Sequence, residues 1–349
     1  MRLQNECHNI DQLSTRNKAI VVATFLRTHN LTGLATELAY RDLQNNYIGI
    51  ALQNEEHPSL PLISAAIFCA IANRVGIDAR CCGMPAYVYA MVYPKPNETL
   101  DSRELREGQT PSDPMYLDPW QSDKEVPVEH LQHLLGAFGV PPANFSQFLA
   151  DSSVGSLVIR TSQNIIATVK DFRGFHGGNS DNTGHPTIRL HANPYVDMEN
   201  AFYSALWANY LLSSSVPRSS ANSRNQFIPL ILERLERLYP MDASLIEKYI
   251  CPAVSLAPSP IVPNWELNEL LRIVRAADSR PKQLRLRDPS SAQDKVKYTV
   301  GQVFRHRRYG YTAVITGWDI ECGMDSDWIV HNQVDSLARG RHQSFYHAL

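Results

Sequence analysis

Apolar and polar positions change rhythm several times along this chain. Ile20 to Leu26 and Leu31 to Leu43 keep a helical period, which predicts helices over residues 15–44. From 59 to 75 nearly every position is apolar, the pattern of a helix buried on most sides. Pro61 suits its first turn, where a missing N–H costs nothing. Asp78 to Cys82 and Tyr87 to Tyr93 read as strands, with Gly83-Met-Pro85 turning between them. Residues 94–114 read as a polar loop, and Met115 to Asp118 as a short strand. The β-branched run Ser156 to Thr161 reads as a last strand, with a helix over Ile165 to Val169.

Residues 173–195, rich in Gly, Asn, Asp and His, read as a loop. Residues 197–277 turn helical. Phe202, Leu206 and Tyr210 form one stripe; Ile228, Ile231, Leu232, Leu235 and Leu238 a second; Leu267, Leu270, Leu271 and Val274 a third. These stripes are expected in the core of two or three helical hairpins. The polar stretch 278–295 reads as a linker. Beyond it, Lys297 to His306, Arg307 to Asp319 and Ser344 to Leu349 read as strands with Gly at tight bends, which predicts a small barrel. The chain stops within the last strand, so a fragment of a longer protein is expected.

Composition narrows the chemistry. The 349 residues suffice for two or three domains, and 44% hydrophobic content is that of a globular chain. A net charge of -2 gives the whole chain no general affinity for polyanions. No apolar run approaches the ~18 residues of a membrane span, and residues 1–8 lack a signal-peptide pattern. Six cysteines form no CxxC and no framework, so they are read as reduced, and the chain as intracellular, cytoplasmic or nuclear. His176, His185 and His191 lack metal-ligand spacing, so neither a metal nor a cofactor is expected.

The order of residues 57–120 carries a resemblance. His57-Pro-Ser-Leu-Pro61 opens the apolar helix, Arg74-Val-Gly76 turns out of it, Gly83-Met-Pro85-Ala-Tyr87 turns into the second strand, and Tyr116-Leu-Asp118-Pro-Trp120 ends the third. This resembles the transglutaminase-like core of the SirB family over residues 46–170. A thiol triad there needs Cys at the helix start, His on the second strand and an acid to orient it. Those places hold Pro61, Tyr87 and Asp118. Only the acid matches, which implies a core without catalysis. Cys69, Cys81 and Cys82 are the other candidate thiols, but without His to lower its pKa a thiol is a poor nucleophile.

The C-terminal residues carry a second resemblance. His306-Arg-Arg-Tyr-Gly-Tyr-Thr-Ala-Val-Ile-Thr-Gly-Trp-Asp319 and His342-Gln-Ser-Phe-Tyr346 resemble the YccV-like, hemimethylated-DNA-binding domain. Arg305, His306, Arg307, Arg308, Arg339, Arg341 and His342 make this end basic, and Tyr309, Tyr311 and Trp318 offer stacking faces. DNA is therefore an alternative partner. The acids Asp319, Glu321, Asp325 and Asp327 lie among these cations, as on a solvated mixed face.

The two resemblances in this order are those of the F-box only protein 21-like family. Membership implies a substrate-recognition subunit of an SCF-type ubiquitin ligase, recruited through an N-terminal F-box that binds Skp. Residues 1–45 show no F-box pattern, so Skp is expected as a partner only of a longer form. The expected fold is α+β: N-terminal helices at 1–45, a transglutaminase-like (papain-like) core at 46–172, a helical module at 197–277, and a YccV-like β-barrel at 297–349. The expected function is non-catalytic recognition of a protein substrate or adaptor.

Overall fold

The computed structural model describes residues 9–34, 40, 42–106, 113–177, 197–213, 224–257, 260–279, 295–307, 310–324 and 326–349. The chain divides into two units, Met1–Val274 and Arg275–Leu349.

The first unit begins with helix α1, Thr15–Thr28, whose N-cap Ser14 accepts from the Asn17 N–H at 3.3 Å. Ala19, Val22, Ala23 and Leu26 form its buried face. The helical expectation for 31–43 fails where it can be examined. Residues 31–34 are not helical, Leu43–Asn46 is a 3₁₀ turn, and 35–39 and 41 lie outside the described residues. Gly33 explains the break: its φ of +100° is a conformation a helix cannot use. A short helix α2, Ile48–Gln53, leads to α3, Pro61–Arg74, with Pro61 in its first turn as the sequence predicts.

Helix α3 packs on a four-stranded antiparallel sheet of β1 (Ala79–Cys81), β2 (Ala90–Val92), β3 (Met115–Leu117) and β4 (Glu125–Val126), paired in that order. The second strand is shorter than Tyr87–Tyr93 because the chain still turns at Ala86, where φ is +62°. Alternation divides the sheet between two cores. Ala90, Val92, Met115 and Leu117 join the cluster of α1 and α3. Met91 and Tyr116 join Leu131 and Leu135 of α4, Val128–Ala137. Burying each large side chain here contributes roughly 1.5–3 kcal/mol.

The strand expected at Ser156–Thr161 is absent. One 24-residue helix, α5 (Val154–Gly177), covers it, the helix expected at 165–169, and the first residues of the expected loop at 173–195. Ser153 opens it by accepting from the Ser156 N–H at 3.1 Å. The apolar positions Leu157, Ile165, Ile166 and Val169 face packed neighbours, so tertiary burial outweighs the strand preference of the β-branched run. His185 and His191 lie outside the described residues, as does the side chain of His176.

Helix α6, Met198–Leu212, lies along α5, and Asn209 Nδ2 donates to Ser162 Oγ at 2.7 Å between them. With α7 (Ile228–Arg237) and α8 (Asn264–Asp278) it forms the helical region read from the sequence. Ile231, Leu235, Leu267 and Val274 are buried as core, as their spacing predicts.

In the second unit β5 (Val303–Arg305), β6 (Thr312–Asp319) and β7 (Phe345–Ala348) form an antiparallel sheet in that order, with a register shift between Ile315 and Gly317. The described strands thus make the small antiparallel sheet that the C-terminal strand pattern predicts, with three strands among the described residues. Leu349 continues the pairing through two hydrogen bonds with Val314, at 2.9 and 3.0 Å.

Candidate functional site

At the start of α3, Pro61 supplies neither a nucleophile nor an N–H. Tyr87 sits in the turn before β2, and Asp118 directly after β3. Antiparallel pairing of Ala90 with Leu117 brings those two ends together. The Tyr87 hydroxyl lies 2.9 Å from both Asp118 carboxylate oxygens. Asp118 Oδ1 also accepts from the backbone N–H groups of Trp120 (3.1 Å) and Gln121 (3.3 Å). The buried carboxylate is thereby engaged by donors, two of which hold the turn after β3.

The electrostatics follow from burial. Desolvation pushes the Asp118 carboxyl up, against the opposing effect of its hydrogen bonds. Desolvation and then the neighbouring carboxylate push Tyr87 well above the ordinary tyrosine range. A neutral phenol that donates to an acid cannot take a proton from a thiol as imidazole does. Trp120 closes the site: its indole Nε1 donates to the Ser59 carbonyl at 2.8 Å, and its ring meets Tyr87 edge-on at 6.2 Å. The backbone around Gly33 fastens the same corner, since Gly33 N–H reaches Ser64 Oγ at 3.2 Å and Ser59 N–H reaches the Gly33 carbonyl at 2.9 Å.

The remaining candidate thiols lie elsewhere. Cys69 of α3 and Cys81 of β1 approach to 3.9 Å between sulfurs, a pairing that sequence separation did not reveal. Both are buried. The Cys69 thiol is held well up by its contact with Cys81 and by burial, while the same contact lowers Cys81. Burial raises Cys82 to about 11.

The basic residues of the second unit separate into two groups along the chain. Arg305, His306, Arg307 and Tyr311 lie at the connection from β5 to β6; the His306 and Tyr311 rings stack at 4.8 Å, and Arg305 Nε donates to the Gly310 carbonyl at 3.1 Å. Arg307 is exposed, and Arg308 and Tyr309 lie outside the described residues. Trp318 is half-buried on β6 opposite Tyr346. Arg339 is exposed before β7, whereas Arg341 grips Asp335 with two bonds of 3.0 and 2.6 Å. His342 and His347 likewise meet Glu321 (3.3 Å) and Asp319 (2.8 Å). Acids near this end thus engage part of its basic character.

Residues 2–163 match the family described as "Transglutaminase-like superfamily", and residues 296–349 match "Hemimethylated DNA-binding protein YccV like". The chain carries a transglutaminase-like domain and, after it, a YccV-like domain. It is also similar to F-box only protein 21 of Mus musculus, at 41% identity over 80 residues. The proteins of the same name from Pongo abelii and Homo sapiens are 40% identical over 80 residues. Each of these matches covers 23% of this chain and spans 13% of the relative's length. No solved structure matches. Among the described residues no helix is long and apolar enough to cross a membrane. Nor do three or more His, Cys, Asp or Glu residues cluster there as a metal site would require.

Proposed function

We propose that the chain is a non-catalytic recognition protein of the F-box only protein 21 type, which selects protein substrates for a ubiquitin ligase. The transglutaminase-like domain presents a binding surface, and the YccV-like domain a second one. The observation that carries this reading is the Tyr87–Asp118 pair. The acid that would orient a catalytic imidazole is instead engaged by a phenol and two backbone N–H groups. Proline at the helix start and the burial of Cys69, Cys81 and Cys82 support it. Similarity to proteins named F-box only protein 21 supports the ligase context.

The test compares two protein sets by quantitative mass spectrometry: those captured by this chain, and those that accumulate when its gene is deleted. Overlap is expected, unchanged when Cys69, Cys81 and Cys82 are replaced by Ser in the bait. Disjoint sets, or capture lost with the thiols while the fold persists, would overturn the reading.

Exposed Arg307 beside the stacked His306–Tyr311 pair favours a second reading, in which the YccV-like domain binds DNA. That reading requires an affinity that falls steeply with salt.

A further inference from the structure

A cavity of about 170 Å³ opens beside Pro61 and Leu62 at the start of α3. Its polar lining comes from Tyr40 and from one face of a helix, where Arg160, Gln163 and Asn164 of α5 stand at i, i+3 and i+4. Gln163 and Asn164 are exposed at the mouth, while Arg160 is partly buried.

Arg160 is the unusual member. Among the described residues its guanidinium makes one hydrogen bond, Nη1 to the Met84 carbonyl at 2.8 Å, and no ion pair. The neighbours that influence its charge are the thiols of Cys81 and Cys82, and burial lowers its pKa. A partly desolvated cation to which the described residues offer no counter-ion carries an electrostatic cost that an incoming anion lowers. Four of its five N–H donors have no acceptor within the described protein, and guanidinium geometry matches a carboxylate through two parallel bonds.

We propose that this cavity binds a carboxylate on Arg160, with Gln163 and Asn164 as flanking hydrogen-bond partners. One fixed positive charge balances a monoanion, whereas a phosphate dianion calls for more than one cation. The carboxylate has two sources, the C-terminus of a polypeptide or a free small acid. The cavity holds little beyond the carboxylate and its nearest atoms, and its open mouth leaves the rest of a chain outside. The polypeptide source deepens the recognition function proposed above and rests on that reading; the anion site itself does not.

The probe is a pool of fluorescent, N-acetylated pentapeptides of random sequence, made as free acids and as C-terminal amides, with N-acetylglycine as the small-acid competitor. The full chain should retain the free acids at least ten-fold better than the amides. Gln163→Glu and Asn164→Asp place an internal carboxylate within reach of Arg160 from exposed positions that do not threaten folding. Each should abolish the preference, as should Arg160→Gln. Displacement by N-acetylglycine at concentrations similar to the free-acid peptides assigns the site to small acids; resistance to it assigns the site to chain termini. Equal retention of acids and amides, or retention of neither, overturns the carboxylate site. Equal retention leaves the recognition reading standing, because binding then occurs elsewhere.

Discussion

The Tyr87 hydroxyl sits 2.9 Å from both oxygens of Asp118, closing the end of the β2–β3 pair where a base and its orienting acid would stand. Removing that hydroxyl leaves a buried carboxylate with, among the described residues, only the Trp120 and Gln121 N–H groups on its side chain. Tyr87→Phe should therefore destabilise the protein by about 1–3 kcal/mol. Urea denaturation measures this; a variant as stable as the parent would show that the bond contributes nothing.

Gly33 predicts a second cost. Its φ is +100°, and a Cβ there would stand 2.9 Å from Arg27 Nη1 and 3.1 Å from the Trp120 carbonyl. Arg27 already donates to that carbonyl, so its side chain cannot yield without breaking a bond. Gly33→Ala should cost at least about 1–2 kcal/mol from backbone strain alone. The expected signature is a lower denaturation midpoint at an unchanged m-value.

Burial also predicts an alkaline limit. Tyr47 and Tyr89 are each raised by desolvation to about 12. The folded state then holds protons that the unfolded chain releases near 10. This contribution to stability is complete below pH 10 and is lost as pH rises towards 12. Tyrosinate absorbance should show these two phenols silent through pH 10–11 while the fold persists. Ionisation of every tyrosine near pH 10 in folded protein would contradict the burial described here.

The YccV-like domain offers a comparison within one surface chemistry. Arg307 is exposed, whereas Arg341 is gripped by Asp335. If duplex DNA is bound, Arg307→Glu should weaken binding and flatten its salt dependence, the slope falling by about 1 for each phosphate no longer neutralised. Arg341→Ala should leave the slope nearly unchanged. Fluorescence anisotropy at several salt concentrations reads both.

The sequence made the buried helix α3 and the strands β1, β2 and β3 legible, because an all-round apolar run and short strands between turn residues have few other readings. It also singled out Tyr87 and Asp118 as two positions of one triad, which the structure brings within hydrogen-bond distance. It misread α5, whose β-branched run Val158-Ile159 prefers a strand locally and becomes helical because Ile165, Ile166 and Val169 are buried against neighbours. The break at Gly33 was missed because a helical period continues across it in the sequence. The Cys69–Cys81 approach and the lone Arg160 depend on how α3, β1 and α5 pack, and no spacing along the chain encodes either.

The central claim is that the transglutaminase-like domain holds no activated thiol. The most direct measurement is the alkylation rate of Cys69, Cys81 and Cys82 by iodoacetamide between pH 6 and 9, resolved by peptide mass spectrometry in folded and unfolded protein. The account predicts that all three react more slowly in the folded protein throughout that range, because they are buried. A thiol among them that alkylates faster in the folded protein at neutral pH would be an activated nucleophile, and would contradict the account.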